Sequence, residues 1–316
     1  MKRVSGVLSF AQFDLGGQPV YIFGENHEMG KGCQDCKQPE CMTFLDFIEL
    51  HEKKNKQLQK LVVLIENPHT YETLEKVPRL AHVPAEFHRG NISKLKQTYL
   101  YCMYESNKQQ CSLQNVFILP CDLRNSKNQQ IQNQEFLTFS LPFMKLFEML
   151  KNEQQAHSEA QELHRNFIQS PANTLFLWII QGNGELGTLY SELKRKRLID
   201  DKILLELLNK MQTFYESNKE SKASQTKLLR LIDNQENNIS SEDVYNFLSS
   251  FVCMLMDTFI IFQILEHHNS FQPICILVGH FHAQLYEPLL KIMKATLVAS
   301  SVPEIGNAMC QYVRNE

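Results

Sequence analysis

Four short apolar runs constrain this chain more than any other feature. They cover residues 20–23, 61–65, 116–119 and 274–278, are rich in β-branched and aromatic side chains, and contain no charged residue. A strand with one face in water alternates apolar and polar positions, whereas one that is apolar throughout is covered on both faces. The runs therefore predict a buried, mostly parallel sheet. Between the first two, Phe44, Leu45, Phe47, Ile48 and Leu50 recur at helical spacing within residues 42–60, which completes a βαβ unit. The fold class is read as α/β, a central mostly parallel sheet flanked by helices.

The pattern changes from about residue 136 to residue 268. Residues 141–167, 186–217 and 241–267 carry helical periodicity and no strand signal intervenes. The expected organisation is one α/β domain over residues 1–316, with a helical insertion at roughly 136–268 and a closing helix over 283–294. Two smaller domains are the competing arrangement, because 316 residues exceed the roughly 100 to 200 of a usual domain. The polar tracts 125–134 and 216–225 are expected as surface loops. Residues 247–265 approach the roughly 20 apolar residues of a membrane span. Asp257 near their middle is costly in a bilayer but can be partnered in a protein core, so a buried helix is expected there and no membrane span.

Charge is nearly balanced, 32 Lys plus Arg against 35 Asp plus Glu, and no basic stripe tracks phosphates, so nucleic acid is not an expected partner. Nine scattered cysteines suit reduced thiols or metal ligation better than a disulfide framework. The apolar run at residues 7–11 is too short for a signal peptide, and the reading is a cytoplasmic or other reducing intracellular location. Cys33, Cys36 and Cys41 leave two readings open. They form a structural zinc site with His27 or His51 as fourth ligand, or they are three reduced surface thiols, since the usual second ligand pair is missing. The glycine-rich stretch at residues 182–187 lacks a strand before it and reads as a helix–helix turn rather than a phosphate loop.

Each apolar run leads directly into ionisable residues: Glu25 and His27 after the first, Glu66 and His69 after the second, Asp122 and Arg124 after the third, His280 and His282 after the fourth. Ligands of open α/β sheets bind outside the carboxyl ends of the strands, so these tails predict one crevice. Any one of them alone would be an ordinary loop residue. Imidazole and carboxylate are the ligand types that zinc, manganese or cobalt accept, which makes His27, His282, Glu25 and Glu66 the candidate metal ligands. The carboxylate not used, with Asp122 or His280, is a candidate general acid or base. Arg124 cannot ligate a cation and would hold a carboxylate or a developing oxyanion. If helix geometry begins at Gly279, His280 and His282 diverge, and His282 is then the preferred ligand.

Two Gly-x-x-His motifs, Gly24-Glu25-Asn26-His27 and Gly279-His280-Phe281-His282, with Glu66 and Arg124 between them, resemble the superfamily of TraB and Tiki proteins, ChaN-like haem-binding proteins and erythromycin esterase-like enzymes. The first motif is similar to the Gly-Glu-x-His-Asp opening of the ChaN-like branch, with Glu28 in place of the aspartate. Asp122 resembles an aspartate after a middle strand in the esterase branch. The resemblance implies an α/β fold with a helical insertion and a metal-dependent hydrolase of peptide, ester or lactone bonds in a small-molecule or peptide substrate. Two alternatives come with it: a ChaN-like protein that binds haem or another cofactor without turnover, and an interaction protein with a vestigial site.

Overall fold

The N-terminal segment carries apolar side chains on both sides of Gly16-Gly17, and this pair decides how the sheet begins. In the computed structural model, which describes residues 2–5, 7–25, 41–54, 60–68, 91–99, 102–103, 111–122, 158–217, 219–233, 240–270, 272–301 and 310–313, the segment is a β-hairpin. Gly16 and Gly17 lie at φ +58° and +92°, the left-handed backbone that a tight two-residue hairpin needs. The Asp14 carboxylate accepts the Gly17 N–H at 2.6 Å and closes the turn.

The chain falls into two compact units, residues 1–125 with 267–316, and residues 126–266. The first unit opens with β1 (Lys2–Ser5), β2 (Val7–Leu15), β3 (Gln18–Glu25), β4 (Cys41–Met42), α1 (Phe44–Lys54), β5 (Leu61–Pro68), α2 (Asn91–Tyr99) and β6 (Val116–Asp122). The second unit holds α3 (Ser158–Gln169), α4 (Pro171–Ile180), α5 (Gly184–Arg195), α6 (Asp201–Glu216), α7 (Lys219–Ile232) and α8 (Ser241–Glu266). The chain then returns to the first unit as β7 (Ile274–Gly279), α9 (His280–Ile292), β8 (Thr296–Ser301) and β9 (Cys310–Val313).

Six strands form the main sheet in the order β6-β5-β7-β3-β2-β8, and β4-β1-β9 form a small second one. The four predicted runs are β3, β5, β6 and β7, and they pair in parallel. The fold is α/β, as expected. Strands β2 and β8, which extend the sheet in antiparallel pairing, are additions to that expectation.

Alternation along the strands divides the sheet faces. Phe23, Leu61, Val63, Ile65, Cys275 and Leu277 pack with Phe44, Phe47 and Ile48 of α1 and with Ile92 and Leu95 of α2. Gly24, one residue out of step with Phe23, faces α9 instead, where a Cβ would stand 2.8 Å from Ala283 Cβ and 3.0 Å from His280 Cα. Helix α1 starts where Thr43 and Asp46 exchange hydrogen bonds, Thr43 N–H to the carboxylate at 2.6 Å and Asp46 N–H to the Thr43 hydroxyl at 3.1 Å. Later in α1, Glu52 accepts the N–H groups of Gln114 and Asn115 at 3.0 and 2.9 Å, which fixes the entry to β6.

Cys102 and Cys111 are joined as a disulfide, a correction to the expectation of reduced thiols throughout. Their Cα atoms stand 4.6 Å apart, within bonding reach. Cys121, Cys253 and Cys275 are buried thiols outside any disulfide.

In the helical unit the glycine-rich stretch is the expected turn. Gly182 and Gly184 adopt positive φ between α4 and α5, and a Cβ on Gly187 would stand 2.4 Å from the Gly182 backbone. The loop expected over residues 216–225 is not there: α6 runs to Glu216 and α7 begins at Lys219. These polar side chains are helical because they bond to one another's neighbours. Ser221 meets Ser250 at 2.8 Å, and Gln225 donates to the Ile168 carbonyl at 2.7 Å. The apolar stretch of α8 is 89% buried, and the fully buried Asp257 accepts a hydrogen bond from the Tyr215 hydroxyl.

Candidate functional site

Because β6, β5, β7 and β3 are parallel, their carboxyl ends share one edge, with Glu25 opposite Gly279 and Ile65 opposite Leu277. Beyond β5 the chain continues toward α2 and β6, while beyond β7 it turns into α9 over β3 and β2. The carboxyl ends of adjacent parallel strands are where ligands of such sheets bind.

Glu66 and His282 meet there. His282 Nε2 stands 3.7 Å from Glu66 Oε1, with side chains only 6% and 7% exposed. The other Glu66 oxygen, Oε2, accepts the Gly279 N–H at 2.7 Å. One carboxylate therefore both anchors the start of α9 and faces the imidazole two residues into that helix. The N-cap of α9 is Gly279, which has no side chain to cap the first turn. A carboxylate from the neighbouring strand thus serves the positive end of the helix.

Glu25 is turned to the other face. It lies in step with Phe23, on the side of α1 and α2, and its Oε2 accepts the N–H groups of Asn91 and Ile92 at 2.8 and 3.3 Å. At 2% exposure it is the N-terminal cap of α2. Glu66 lies out of step with Ile65, which faces α1 and α2, and so turns toward α9. The period of two residues separates the two glutamates that the sequence reading treated as interchangeable.

The two histidines of α9 diverge, since the helix begins at His280. Nδ1 of His280 lies 2.8 Å from Ser9 Oγ and its Nε2 lies 3.0 Å from Gln284 Nε2. Burial pushes the His280 imidazole below the usual histidine pKa. Gly24, the first residue of its motif, is the place where β3 passes closest to this arrangement: a Cβ there would stand 2.4 Å from Ser9 Oγ. The glycine serves close approach rather than a turn.

His27 and Arg124 lie outside the described residues, as do Cys33 and Cys36, and of Asp122 and Cys41 only the main chain is described, at the end of β6 and in β4. His51, considered as a zinc ligand, packs on Phe47 at 4.4 Å between ring centroids and places Nδ1 3.0 Å from the Phe47 carbonyl. Among the described residues, no three His, Cys, Asp or Glu side chains gather as a metal site. A cleft of about 340 Å³, lined by Lys60, Phe117, His267 and the Cys102–Cys111 pair among others, is at the amino ends of β5 and β6, the opposite edge from Glu66 and His282.

The sequence reading did not pick out Ser9 or Gln284. Ser9 was legible only through the hairpin, whose Gly-Gly turn puts it opposite Gly24. Gln284 is one helical turn beyond His280, a spacing that becomes meaningful once α9 is known to begin at that histidine. No family model, curated protein or solved structure matches the chain at a significant level.

Proposed function

We propose that the protein is a metal-assisted hydrolase of peptide, ester or lactone bonds, of the kind its resemblance to TraB, Tiki and erythromycin esterase-like proteins implies. The observation that supports this reading is the buried Glu66–His282 pair at the carboxyl ends of β5 and β7. Its donor set fits a divalent ion. Two donors each about 2 Å from one ion stand some 3 to 4 Å apart, which the 3.7 Å separation satisfies. His282 and Glu66 would hold zinc, manganese or cobalt, with His27 a further imidazole on sequence grounds. Such an ion, when bound, supplies a water of lowered pKa and polarises a scissile carbonyl.

The chain's own residues account for the rest. The Gly279 N–H fixes the Glu66 carboxylate, and the first turn of α9 fixes His282, so neither needs to reorganise when a substrate arrives. Without metal, Glu66 is the group of this pair suited to taking a proton from water as general base; as a ligand it leaves that role to Asp122. Arg124 remains the proposed partner of the developing oxyanion.

Elemental analysis of the full chain, set beside hydrolysis of a panel of activated esters, lactones and peptides, tests this. About one divalent ion per chain is expected, lost in His282→Ala, with hydrolysis falling on the order of 100-fold or more in Glu66→Gln. Metal that survives His282→Ala but disappears when Cys33, Cys36 and Cys41 are replaced would overturn the reading. An intense haem absorption in the purified protein would favour the non-hydrolytic alternative.

A further inference from the structure

Strand β2 carries a bulge beside the site. Val7 pairs with Glu25 and Ser9 with Gly24, so Leu8 is the extra residue between two adjacent partners on β3. Ser9 keeps the register set by the Gly16-Gly17 turn and is the last residue of β2 to do so before the bulge. Its hydroxyl occupies the volume in which a Cβ on Gly24 would stand, 2.4 Å away, and reaches His280 Nδ1 at 2.8 Å. On the other side of the ring, Nε2 lies 3.0 Å from the Gln284 amide nitrogen. An amide nitrogen can only donate, so Nε2 accepts, and a proton on Nδ1 is donated to Ser9 Oγ.

We infer that Ser9, Gly24 and Gln284 form a positioning device that locks His280 in one tautomer and one orientation, and through the first turn of α9 aims His282 at Glu66. Nothing in this arrangement makes Ser9 or His280 a catalytic residue. His280 is the first residue of α9 and His282 the third, so a ring held from β2 at the first position fixes the rotation of the turn that carries the second. The glycine of the first Gly-x-x-His motif and the first histidine of the second thereby acquire a common purpose. The hairpin register places the hydroxyl, the missing Cβ makes room for it, and the hydroxyl anchors the ring. The inference rests on the proposed function only in taking His282 as a working residue of the site.

Long-range proton–nitrogen spectra of the full chain labelled at histidine test it directly. Wild type is expected to show His280 protonated at Nδ1 and bare at Nε2. Ser9→Ala is expected to release that tautomer and to shift the ring signals of His282, whereas Ser9→Thr, which keeps the hydroxyl, restores both. Gln284→Met, a change on the exposed side of the helix that leaves folding intact, is expected to release the tautomer as well. A parallel titration with Mn²⁺ is expected to weaken by about 10-fold in Ser9→Ala, the usual size of a lost supporting hydrogen bond at a metal site. If wild type takes up no Mn²⁺, the metal reading fails while the ring spectra still decide the positioning role. Ring signals of His280 and His282 that stay unchanged in both Ser9→Ala and Gln284→Met would overturn the inference. So would covalent labelling of Ser9 by a fluorophosphonate, which would make it a nucleophile.

Discussion

Glu25 and Glu66 stand at one sheet edge on strands separated only by β7, yet each carboxylate is engaged on a different face, Glu25 with α2 and Glu66 with α9. Substitutions should separate them. Glu25→Gln weakens a buried helix cap and is expected to cost about 1 kcal/mol in denaturant unfolding. Glu66→Gln keeps an oxygen for the Gly279 N–H and removes a buried charge, so its unfolding midpoint is expected to stay level or rise while hydrolysis is lost. A loss of several kcal/mol in Glu66→Gln would mark a purely structural network instead. Gly24→Ala forces a methyl group against Ser9, Ala283 and His280, and calorimetry is expected to register roughly 1 to 3 kcal/mol of destabilisation. Much of this residue-scale picture was legible in the sequence. The strand ends, the two motifs and the divergence of His280 from His282 follow from apolar runs and helical spacing. The separation of the glutamates was legible too, by counting in twos from Phe23 and Ile65. The Ser9 contact was legible only in part, because the Gly-Gly turn pairs Ser9 with Gly24 but does not say that α9 packs His280 against that pair.

Helix α8 shows the same logic at the scale of an element. Ser240 and Asp243 exchange hydrogen bonds at its start, the hydroxyl to the carboxylate at 2.6 Å and the Asp243 N–H to the hydroxyl at 3.1 Å, and Lys227 of α7 adds an ion pair at 2.9 Å. The Ser240 hydrogen bond first, and the Lys227 ammonium second, hold the Asp243 carboxyl below its ordinary pKa. A carboxyl lowered by folding stabilises the fold above its unfolded value of about 3.9, and that contribution is lost as the pH falls through the folded value. Asp243→Asn is therefore expected to lower the unfolding free energy at pH 7 by about 1 kcal/mol, with the gap from wild type closing as the pH is taken below the ordinary carboxylate range. Urea titrations at neutral and at acid pH check this. Deeper in the helix, Tyr215→Phe withdraws a donor from the buried Asp257, and a loss of about 1 to 3 kcal/mol is expected by the same measurement. Sequence pattern marked α8 as a core helix and gave Asp257 a partner without naming it. Residues 216–225 were misread as loop because their polarity is satisfied by α3 and α8, contacts that composition does not reveal.

At the scale of the whole molecule, the sheet-bearing unit is built from two separate stretches of chain and the helical unit from one continuous stretch. That difference sets an order of assembly. Strand β7 lies between β3 and β5, so both central pairings of the sheet wait for a segment that is synthesised only after residues 126–266. The pairings of β3 and β5 with β7 bridge long loops and pay loop-closure entropy first, whereas helices close locally and fast. During synthesis the helical unit can gain structure while β3 and β5 still have an open slot between them, a gap bordered by strands apolar on both faces. In refolding followed by pulsed hydrogen exchange, amides of α5, α6 and α8 should become protected before those of β3, β5 and β7. The strand that fills this slot carries Gly279 and leads into His282, so the half of the site that faces Glu66 comes into being at the moment β3 and β5 are bridged.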